Sequence, residues 1–230
     1  MEGSFGLCRR AFQMGKDLCI MGSANYFMML LVSIPAIFIA TTAHEFTRAA
    51  VSSALGDNYP KSQGRLTLNP FKHFEPIGFL LLLYSGGFGW GRPGDTSALY
   101  YKNRKRDTLL TAILPSVVNL ALGVIFLWLY LWVYAEMGLG AYSFAAIFLN
   151  TLYRYNFGLA VYNLLPVAPM DCVKVLSVLM PANTYFRYMQ NEKLIQVAFL
   201  MLMFFGLITG IMNTIIHSVI GLFSGLFFIF

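Results

Sequence analysis

Long apolar runs constrain the fold of this chain more than any other sequence feature. They extend over about residues 26–43, 109–134, 142–165 and 194–230. A transmembrane helix needs about 20 predominantly apolar residues, so each of the first three runs fits one crossing of a bilayer. The last run is too long for one crossing. It predicts either a helical hairpin that turns between Gly206 and Asn213, or one long tilted span with an interfacial helix.

The charge content agrees with a membrane location. Only 11% of the residues are charged and 58% are hydrophobic, whereas a soluble domain has about 25% charged residues. The net charge of +6 comes from basic residues that cluster between the apolar runs, so we attribute it to loops that face the cytoplasmic leaflet. Nucleic-acid binding would need a basic face on a soluble domain. We therefore expect membrane lipid, and no nucleic acid, around this protein.

Shorter segments complete the expected topology. Residues 76–90 are apolar but rich in glycine, and they predict a short span or a re-entrant hairpin buried in the protein. Basic segments at 9–16, 102–106 and 187–193 are expected on the cytoplasmic side, with 135–141 on the opposite side. These features predict an integral membrane protein that crosses the bilayer several times.

A different periodicity follows the first long helix. Between Gln63 and Asn69 the sequence alternates polar and apolar residues as Arg-Leu-Thr-Leu, which is typical of a short strand. The predicted fold class is therefore an all-α polytopic membrane protein of about 5–6 transmembrane or re-entrant segments. A short β-strand or hairpin is inserted after its first long helix.

An incomplete zinc motif lies in the first apolar helix, where residues 44–48 read His-Glu-Phe-Thr-Arg. In the pattern His-Glu-x-x-His, two imidazoles one helical turn apart bind zinc, and the glutamate is the general base for a zinc-bound water. Here the fourth residue after His44 is Arg48. Its guanidinium stays protonated and cannot donate a lone pair to a metal.

Three segments of the chain form a larger pattern. They are 43–48 followed by Leu55-Gly56-Asp57, then 64–78 beginning Gly-Arg-Leu-Thr-Leu-Asn-Pro, and 163–172 beginning Asn-Leu-Leu-Pro. Their order and their residues resemble the site-2 protease family of intramembrane zinc metalloproteases, in its short bacterial form. The resemblance covers about residues 27–180. It implies one membrane domain over 1–230, with a site-2-protease-like core at 24–180, a C-terminal helical hairpin or tail at 194–230, and a bacterial-type inner membrane as location.

The resemblance also implies roles for single residues. In that family two histidines and an aspartate hold zinc, and a glutamate activates water. His44 then matches the first ligand, Glu45 the general base and Asp171 the third ligand. Arg48 stands at the position of the second ligand, and the family's Leu-Asp-Gly is replaced by Met170-Asp171-Cys172. The expected cofactor is zinc if the chain is active, and none otherwise.

Arg48 has two interpretations. At membrane depth it needs an anion, and the matched fold offers Glu45 and Asp171. We expect Arg48 to place a fixed positive charge at the zinc position and to engage Asp171 with both guanidinium nitrogens. Alternatively, Arg48 extends to the membrane interface and touches neither carboxylate. His73 is a candidate substitute ligand, although it also matches a histidine of the family pattern.

Other polar residues have both a functional and a structural interpretation. In the family an exposed strand edge accepts an unwound substrate, which assigns this role to Gly64, Arg65, Leu66, Thr67, Leu68 and Asn69; a strand that only closes the cavity is the alternative. Asn119 and Asn163 are candidate oxyanion donors, or they satisfy backbone groups between spans. Arg154, in mid-span, requires a carboxylate partner or a polar cavity. His217 is expected to be a polar packing residue of the tail helix.

Two functions follow from these observations. The first is a site-2-protease-like protein with impaired catalysis that acts by binding, as a subunit of a membrane complex or by sequestering a membrane-spanning partner. The alternative is an active intramembrane zinc metalloprotease that cleaves a transmembrane substrate with Glu45 as general base. A transporter is disfavoured because the polar residues form no inverted repeat. The replacement of the second ligand by Arg48 favours the inactive form.

Overall fold

The computed structural model describes residues 23–92, 94–135 and 143–227, and in these residues every regular element is helical. The α-helices are α1 (Ser23–Ala54), α2 (Tyr59–Ser62), α3 (Pro76–Ser85), α4 (Arg104–Ala135), α5 (Phe144–Tyr162), α6 (Cys172–Leu179), α7 (Ala182–Gln190), α8 (Glu192–Phe204) and α9 (Leu207–Phe227). Two 3₁₀ turns lie at Pro70–Lys72 and Ala98–Tyr100. The predicted all-α class is confirmed for the described part of the chain.

Three helices are long and apolar enough to cross a membrane. They are Met28–Ala54 in α1, Arg104–Tyr134 in α4, and α9. The fold is thus compatible with a membrane protein. Helix α5 is not among the three because Asn150, Arg154 and Asn156 lower its hydropathy, so the predicted number of spans is not shown. The basic segment 9–16 and most of 135–141, which the predicted orientation also used, lie outside the described residues.

Helices α1, α4 and α5 pack against one another and form the core that carries the site. Buried side chains join α1 to α5: Ala36, Ile37 and Ala40 lie with Leu152, Tyr155 and Leu159. On the opposite face of α5 the Phe157 ring lies over Gly123 of α4, where a Cβ would come within 2.8 Å of the ring. Small residues at these contacts let the helices approach closely. The contacts fix α5 between its two long neighbours.

The strand predicted around residues 64–69 is wrong. This segment is an irregular loop, and no strand lies beside it in the described residues. Some of its backbone amides have other partners: the Arg65 amide donates to the Pro60 carbonyl at 2.9 Å, and the Asn69 amide donates to Thr67 Oγ1 at 3.2 Å. The side chains do alternate in solvent exposure, since Leu66 and Leu68 are more exposed than Arg65 and Thr67. A period-two pattern without a pairing strand does not make a ladder.

Residues 76–90 form a helix and a returning loop. Helix α3 has ten residues, which is about 15 Å and too short to span a bilayer. The chain then turns at Gly86, which has a left-handed φ of 72°. It runs back until the Trp90 carbonyl contacts Gly78, where a Cβ would come within 2.0 Å of that oxygen. Both ends of the segment therefore lie together, but Ile77, Leu80 and Tyr84 of α3 are exposed, and not buried in the protein as the hairpin alternative predicts.

The C-terminal run is divided into two helices. Helix α8 has 13 residues and α9 has 21, and Gly206 between them has φ of 80°. A left-handed residue ends a helix, and glycine adopts this conformation without a Cβ penalty. Helix α9 packs against α8, α5 and α4. The break thus falls at the first of the glycines from which the sequence predicts a turn.

Candidate functional site

The polar face of α1 points into the protein. His44, Glu45 and Arg48 are only 2%, 2% and 3% exposed. Residues three and four apart lie on the same side of a helix, so these side chains form one group near the end of α1. Ser52, a further turn along, is also fully buried. An otherwise apolar helix thus carries charged groups on the face that packs against α4 and α5.

Asp171 meets this group from the turn between α5 and α6. It is the residue before α6, but its carboxylate makes no capping hydrogen bond to that helix. The Asp171 Oδ2 lies instead 3.0 Å from His44 Nε2. A hydrogen bond of 3.1 Å from the Cys172 amide to the Asn163 carbonyl closes the turn. Two residues that are far apart in the sequence, His44 and Asp171, are therefore neighbours.

The Arg48 guanidinium lies between two carboxylates. One terminal nitrogen is 2.8 Å from Glu45 Oε2, and the other is 2.8 Å from Asp171 Oδ2. The sequence predicts that both nitrogens engage Asp171, whereas the structure divides them between two anions. A charge-assisted hydrogen bond forms on each side. Because none of these groups is open to solvent, water does not weaken the pairs as it does at a surface.

Lys174 is a second cation beside the same carboxylates. Its Nζ donates to Thr96 Oγ1 at 3.1 Å. Burial, together with the charge of Arg48, lowers the pKa of Lys174 to about 8. Burial opposes ionisation of Asp171 as well, but Arg48 and His44 outweigh it and hold the Asp171 pKa well below its usual range. Arg48 is hydrogen-bonded to both carboxylates, and Lys174 adds a further positive charge nearby without an ion pair to either of them.

The loop after α3 packs against the Glu45 side of the cluster. Gly91 lies against the side chain of Glu45, where a Cβ would come within 2.9 Å of Glu45 Cγ. The next amide, that of Arg92, donates to the His73 carbonyl at 2.7 Å. A larger residue than glycine would therefore push on the Glu45 side chain. The backbone of this loop therefore packs directly against Glu45.

His73 is buried, but it is not placed with His44 and Asp171. Its Nε2 lies 2.8 Å from the Thr67 carbonyl, so it holds the 64–69 loop. Among the described residues, no group of three His, Cys, Asp or Glu side chains lies together in a way that could hold a metal. Catalytic zinc takes three protein ligands and a water. The two available ligands, His44 and Asp171, are too few, and Arg48 already engages Asp171, so the donor set does not fit zinc.

Asn119 and Asn163 lie near the site but direct their amide donors at helix backbone. The Asn119 Nδ2 donates to the Ala40 carbonyl at 3.3 Å, and the Asn163 Nδ2 donates to the Leu159 carbonyl at 2.9 Å. Both side chains are buried. The first joins α4 to α1, and the second ends α5. This geometry suits the structural role that the sequence leaves open for them.

The 64–69 loop borders an apolar groove. Leu68 and Pro70 face α1 across a cavity of about 320 Å³, and its other lining residues are Phe38, Ile39, Thr42 and Ala43. The groove residues of α1 lie on a different side of the helix from His44 and Arg48, because neighbouring residues on a helix do not share a face. Leu68 itself is 68% exposed. The candidate substrate segment thus lies beside an open apolar groove on one side of α1.

Sequence reasoning misses three residues that shape this site. Lys174 follows Asp171 by three positions, a helical spacing that is the only local signal for its role. Gly91 gives no signal, because its contact with Glu45 depends on how the loop returns. Asp57 belongs to the matched Leu-Gly-Asp segment, and it is fully buried. It accepts from Ser52 Oγ and from the Ser97 amide, at 2.9 and 2.7 Å, and so ties α1 to the loop.

Comparison with known proteins adds one relative. The Bacillus subtilis (strain 168) protein described as "Putative zinc metalloprotease YwhC" is 33% identical to this chain over 198 residues. The alignment covers 83% of this chain and 90% of the relative. No family model matches the chain, and no solved structure matches it. The likeness extends over nearly the whole of both proteins, and it includes the helices that carry the charged cluster.

Proposed function

The chain belongs to the metalloprotease family of Bacillus subtilis YwhC, and on this premise we propose that it is a binding protein derived from an intramembrane protease. In this proposal the protein has the site-2 protease architecture, Arg48 takes the place of zinc, and peptide hydrolysis is lost. It acts on a membrane-spanning partner by holding it. The observation that carries the proposal is the guanidinium of Arg48, 2.8 Å from both Glu45 and Asp171.

The chemistry of peptide hydrolysis supports this conclusion. A zinc peptidase needs a metal-bound water and a free carboxylate that accepts its proton. Here the Glu45 carboxylate is hydrogen-bonded to Arg48, and Gly91 packs against it. Arginine supplies positive charge, but it has no open coordination position for a water. The residues at the matched positions are therefore held in a closed, hydrogen-bonded cluster.

The 64–69 loop and the apolar groove are the proposed binding surface. The amides of Leu66 and Leu68 make no hydrogen bond within the described residues, so an extended partner segment can pair with them. The groove beside α1 accepts apolar side chains of that segment. The resemblance implies that a substrate would lie here in an active relative. A partner bound in the same place would meet no hydrolytic group.

The proposed location is the inner membrane of a bacterium. Support comes from the three long apolar helices and from the low charge content. We place the basic segment 102–106 on the cytoplasmic side, because Lys and Arg are enriched in cytoplasmic loops. Several crossings of the bilayer follow if α5, which packs between α1 and α4, shares their depth.

An active zinc metalloprotease is the second candidate. The printed name of the relative favours it, and so does the presence of His44, Glu45 and Asp171. This function requires Arg48 to swing out of the cluster and a third ligand to enter. In that case the native chain would cleave a transmembrane substrate, and Glu45→Gln would abolish the cleavage.

A cleavage assay separates the two candidates. The native chain, Arg48→His and Arg48→His with Glu45→Gln are reconstituted with zinc and a model transmembrane substrate. We expect no cleavage by the native chain and none by the double variant. Cleavage by Arg48→His alone would show that one substitution removed the activity. Cleavage by the native chain that is lost in Glu45→Gln would refute the proposal.

A further inference from the structure

A second arginine lies in the middle of α5. Arg154 is ten residues after Phe144 and eight before Tyr162, the ends of this helix. At 1.5 Å per residue it is about 15 Å from one end and about 12 Å from the other. Its side chain is half-buried. If α5 shares the depth of α1 and α4, as proposed above, this cation lies near the middle of the bilayer.

Arg154 has no anion within the described residues. All ion pairs found there belong to the cluster of His44, Glu45, Arg48 and Asp171, and the Arg154 side chain makes no hydrogen bond to a described residue. A charged group in a membrane segment is costly unless it is paired, and such a residue marks a functional site by default. The described part of the fold therefore leaves this cation without an internal anion.

The helix packing shows where Arg154 points. Leu152, Tyr155 and Leu159 face α1, and Phe157 faces α4 at Gly123. Arg154 lies on the third side of α5, which α9 covers only in part. The rings of Phe157 and Phe223 stack at a centroid distance of 6.2 Å and join α9 to α5.

Two further polar side chains accompany Arg154. Asn150 is one helical turn earlier on the same side of α5, and its Oδ1 is buried without a partner. His217 on α9 is exposed and lies close enough to Arg154 to be affected by its charge. We name Asn150, Arg154 and His217 the Arg154 patch. The guanidinium and imidazole N–H groups can donate to a carboxylate, whereas the Asn150 Oδ1 is an acceptor and does not contribute to that contact.

Depth decides which carboxylate or phosphate can reach this patch. A lipid phosphate lies at the membrane surface, and Arg154 is farther from both ends of α5 than its own side chain extends. A second copy of the chain offers no suitable acid among its described residues, because Glu45 and Asp171 are buried and paired. The other described acidic residues, Asp57, Glu75, Asp95, Asp107 and Glu192, lie in loops or first turns of helices. The described residues therefore point to a different membrane protein as the source of the anion.

We propose that the Arg154 patch binds a transmembrane helix of a partner protein through an Asp or Glu near the middle of that helix. The interaction rests on the membrane location given under the proposed function, but it does not depend on the zinc position. It identifies a second contact surface, on the α5–α9 side of the molecule. The acidic residue of the partner gives the contact its selectivity, since an apolar helix leaves Arg154 unpaired.

A designed peptide tests this inference. The probe is a fluorescent Leu/Ala transmembrane helix with one central Glu, and the matched control carries Gln at that position. The full chain is labelled and reconstituted with either peptide in phosphatidylcholine vesicles, and association is measured by energy transfer. We expect the Glu peptide to associate about tenfold more tightly than the Gln peptide. Arg154→Leu should remove this preference, and Arg154→Lys should keep part of it.

The controls make the outcome decisive. Arg187→Leu, on the exposed face of α7, should leave the preference unchanged. Equal association of the two peptides, or a preference that persists in Arg154→Leu, would overturn the inference. So would rapid labelling of Arg154→Cys by a water-soluble maleimide, above the labelling of the native chain, because the side chain would then lie in water. Neither assay reads zinc or cleavage, so failure here leaves the proposal about Arg48 standing.

Discussion

Two arginines in the helical core have opposite surroundings. Arg48 is fully buried between Glu45 and Asp171, whereas Arg154 is half-buried and meets no carboxylate of the described chain. The first is neutralised by the fold itself. The second has no such neutralising partner within the described residues. The comparison shows that burial alone does not identify the role of an arginine. The number of carboxylates within reach of its guanidinium distinguishes the two.

This difference has a consequence for stability. A paired buried charge destabilises the protein when its partner is removed, because the remaining charge is left uncompensated. An unpaired charge at membrane depth opposes insertion, so its removal relieves a cost. Neutralising substitutions at the two places should therefore change the free energy of unfolding in opposite directions.

The largest effect is expected at Asp171. Asp171→Ala leaves Arg48 and Lys174 facing the single carboxylate of Glu45, and we expect a loss of about 3–5 kcal/mol in the free energy of unfolding. Denaturant titration in detergent micelles measures this loss. Asp95→Ala removes an exposed carboxylate from the same chain and should change the stability by less than about 0.5 kcal/mol. Equal effects of the two substitutions would mean that the buried cluster is not a paired one.

The opposite sign is expected at Arg154. Arg154→Leu in the absence of a partner should raise the free energy of unfolding by about 1–3 kcal/mol, since an apolar side chain replaces an unpaired cation. The same titration in micelles is used, with Arg187→Leu as an exposed control. A loss of stability comparable to that of Asp171→Ala would show that Arg154 has an internal anion and would remove the contrast.

Closure of the Arg48 cluster by the loop can be tested at Gly91. A methyl group there would come within 2.9 Å of Glu45 Cγ, and we expect Gly91→Ala to cost about 1–2 kcal/mol by overpacking. Gly221→Ala is the matched control, because nothing lies within 4 Å of its added Cβ and alanine favours a helix. If Gly91→Ala is as harmless as the control, the loop does not rest on Glu45.

The smallest effect is a pH dependence from Lys174. Its folded-state pKa is about 8, below the ordinary value of 10.5, so between these values the unfolded chain binds more protons than the folded chain. Stability therefore rises with pH in this window. Relative to Lys174→Met, the native chain should gain about 1–2 kcal/mol between pH 8 and pH 10. If the difference in stability between the native chain and Lys174→Met does not change over this pH range, Lys174 lies in water instead of beside Arg48.

Part of this arrangement can be predicted from the sequence. The apolar run at 109–134 predicts α4, because a single apolar segment in a bilayer satisfies its backbone hydrogen bonds by forming a helix. The family resemblance implies that Asp171 meets α1 near His44, because it brings with it a fold in which these positions are neighbours. Both inferences depend on patterns that are written along the chain.

The remaining features depend on contacts that no local pattern encodes. The 64–69 segment alternates like a strand, yet it has no pairing strand in the described residues. Gly91 reaches Glu45 only because α3 turns back at Gly86. Whether the Arg48 guanidinium binds one carboxylate or two depends on the distance between α1 and the turn that carries Asp171. Tertiary packing decides each of these, and the sequence carries no separate signal for it.

Zinc content tests the central claim most directly. The native chain and Arg48→His are purified after growth with added zinc, and the metal bound per chain is measured by elemental analysis. We predict that the native chain holds no stoichiometric zinc, because two ligands are too few and Arg48 already holds Asp171. Arg48→His should gain zinc, and Asp171→Ala in that background should lose it again. Stoichiometric zinc in the native chain, lost on Asp171→Ala, would contradict the account.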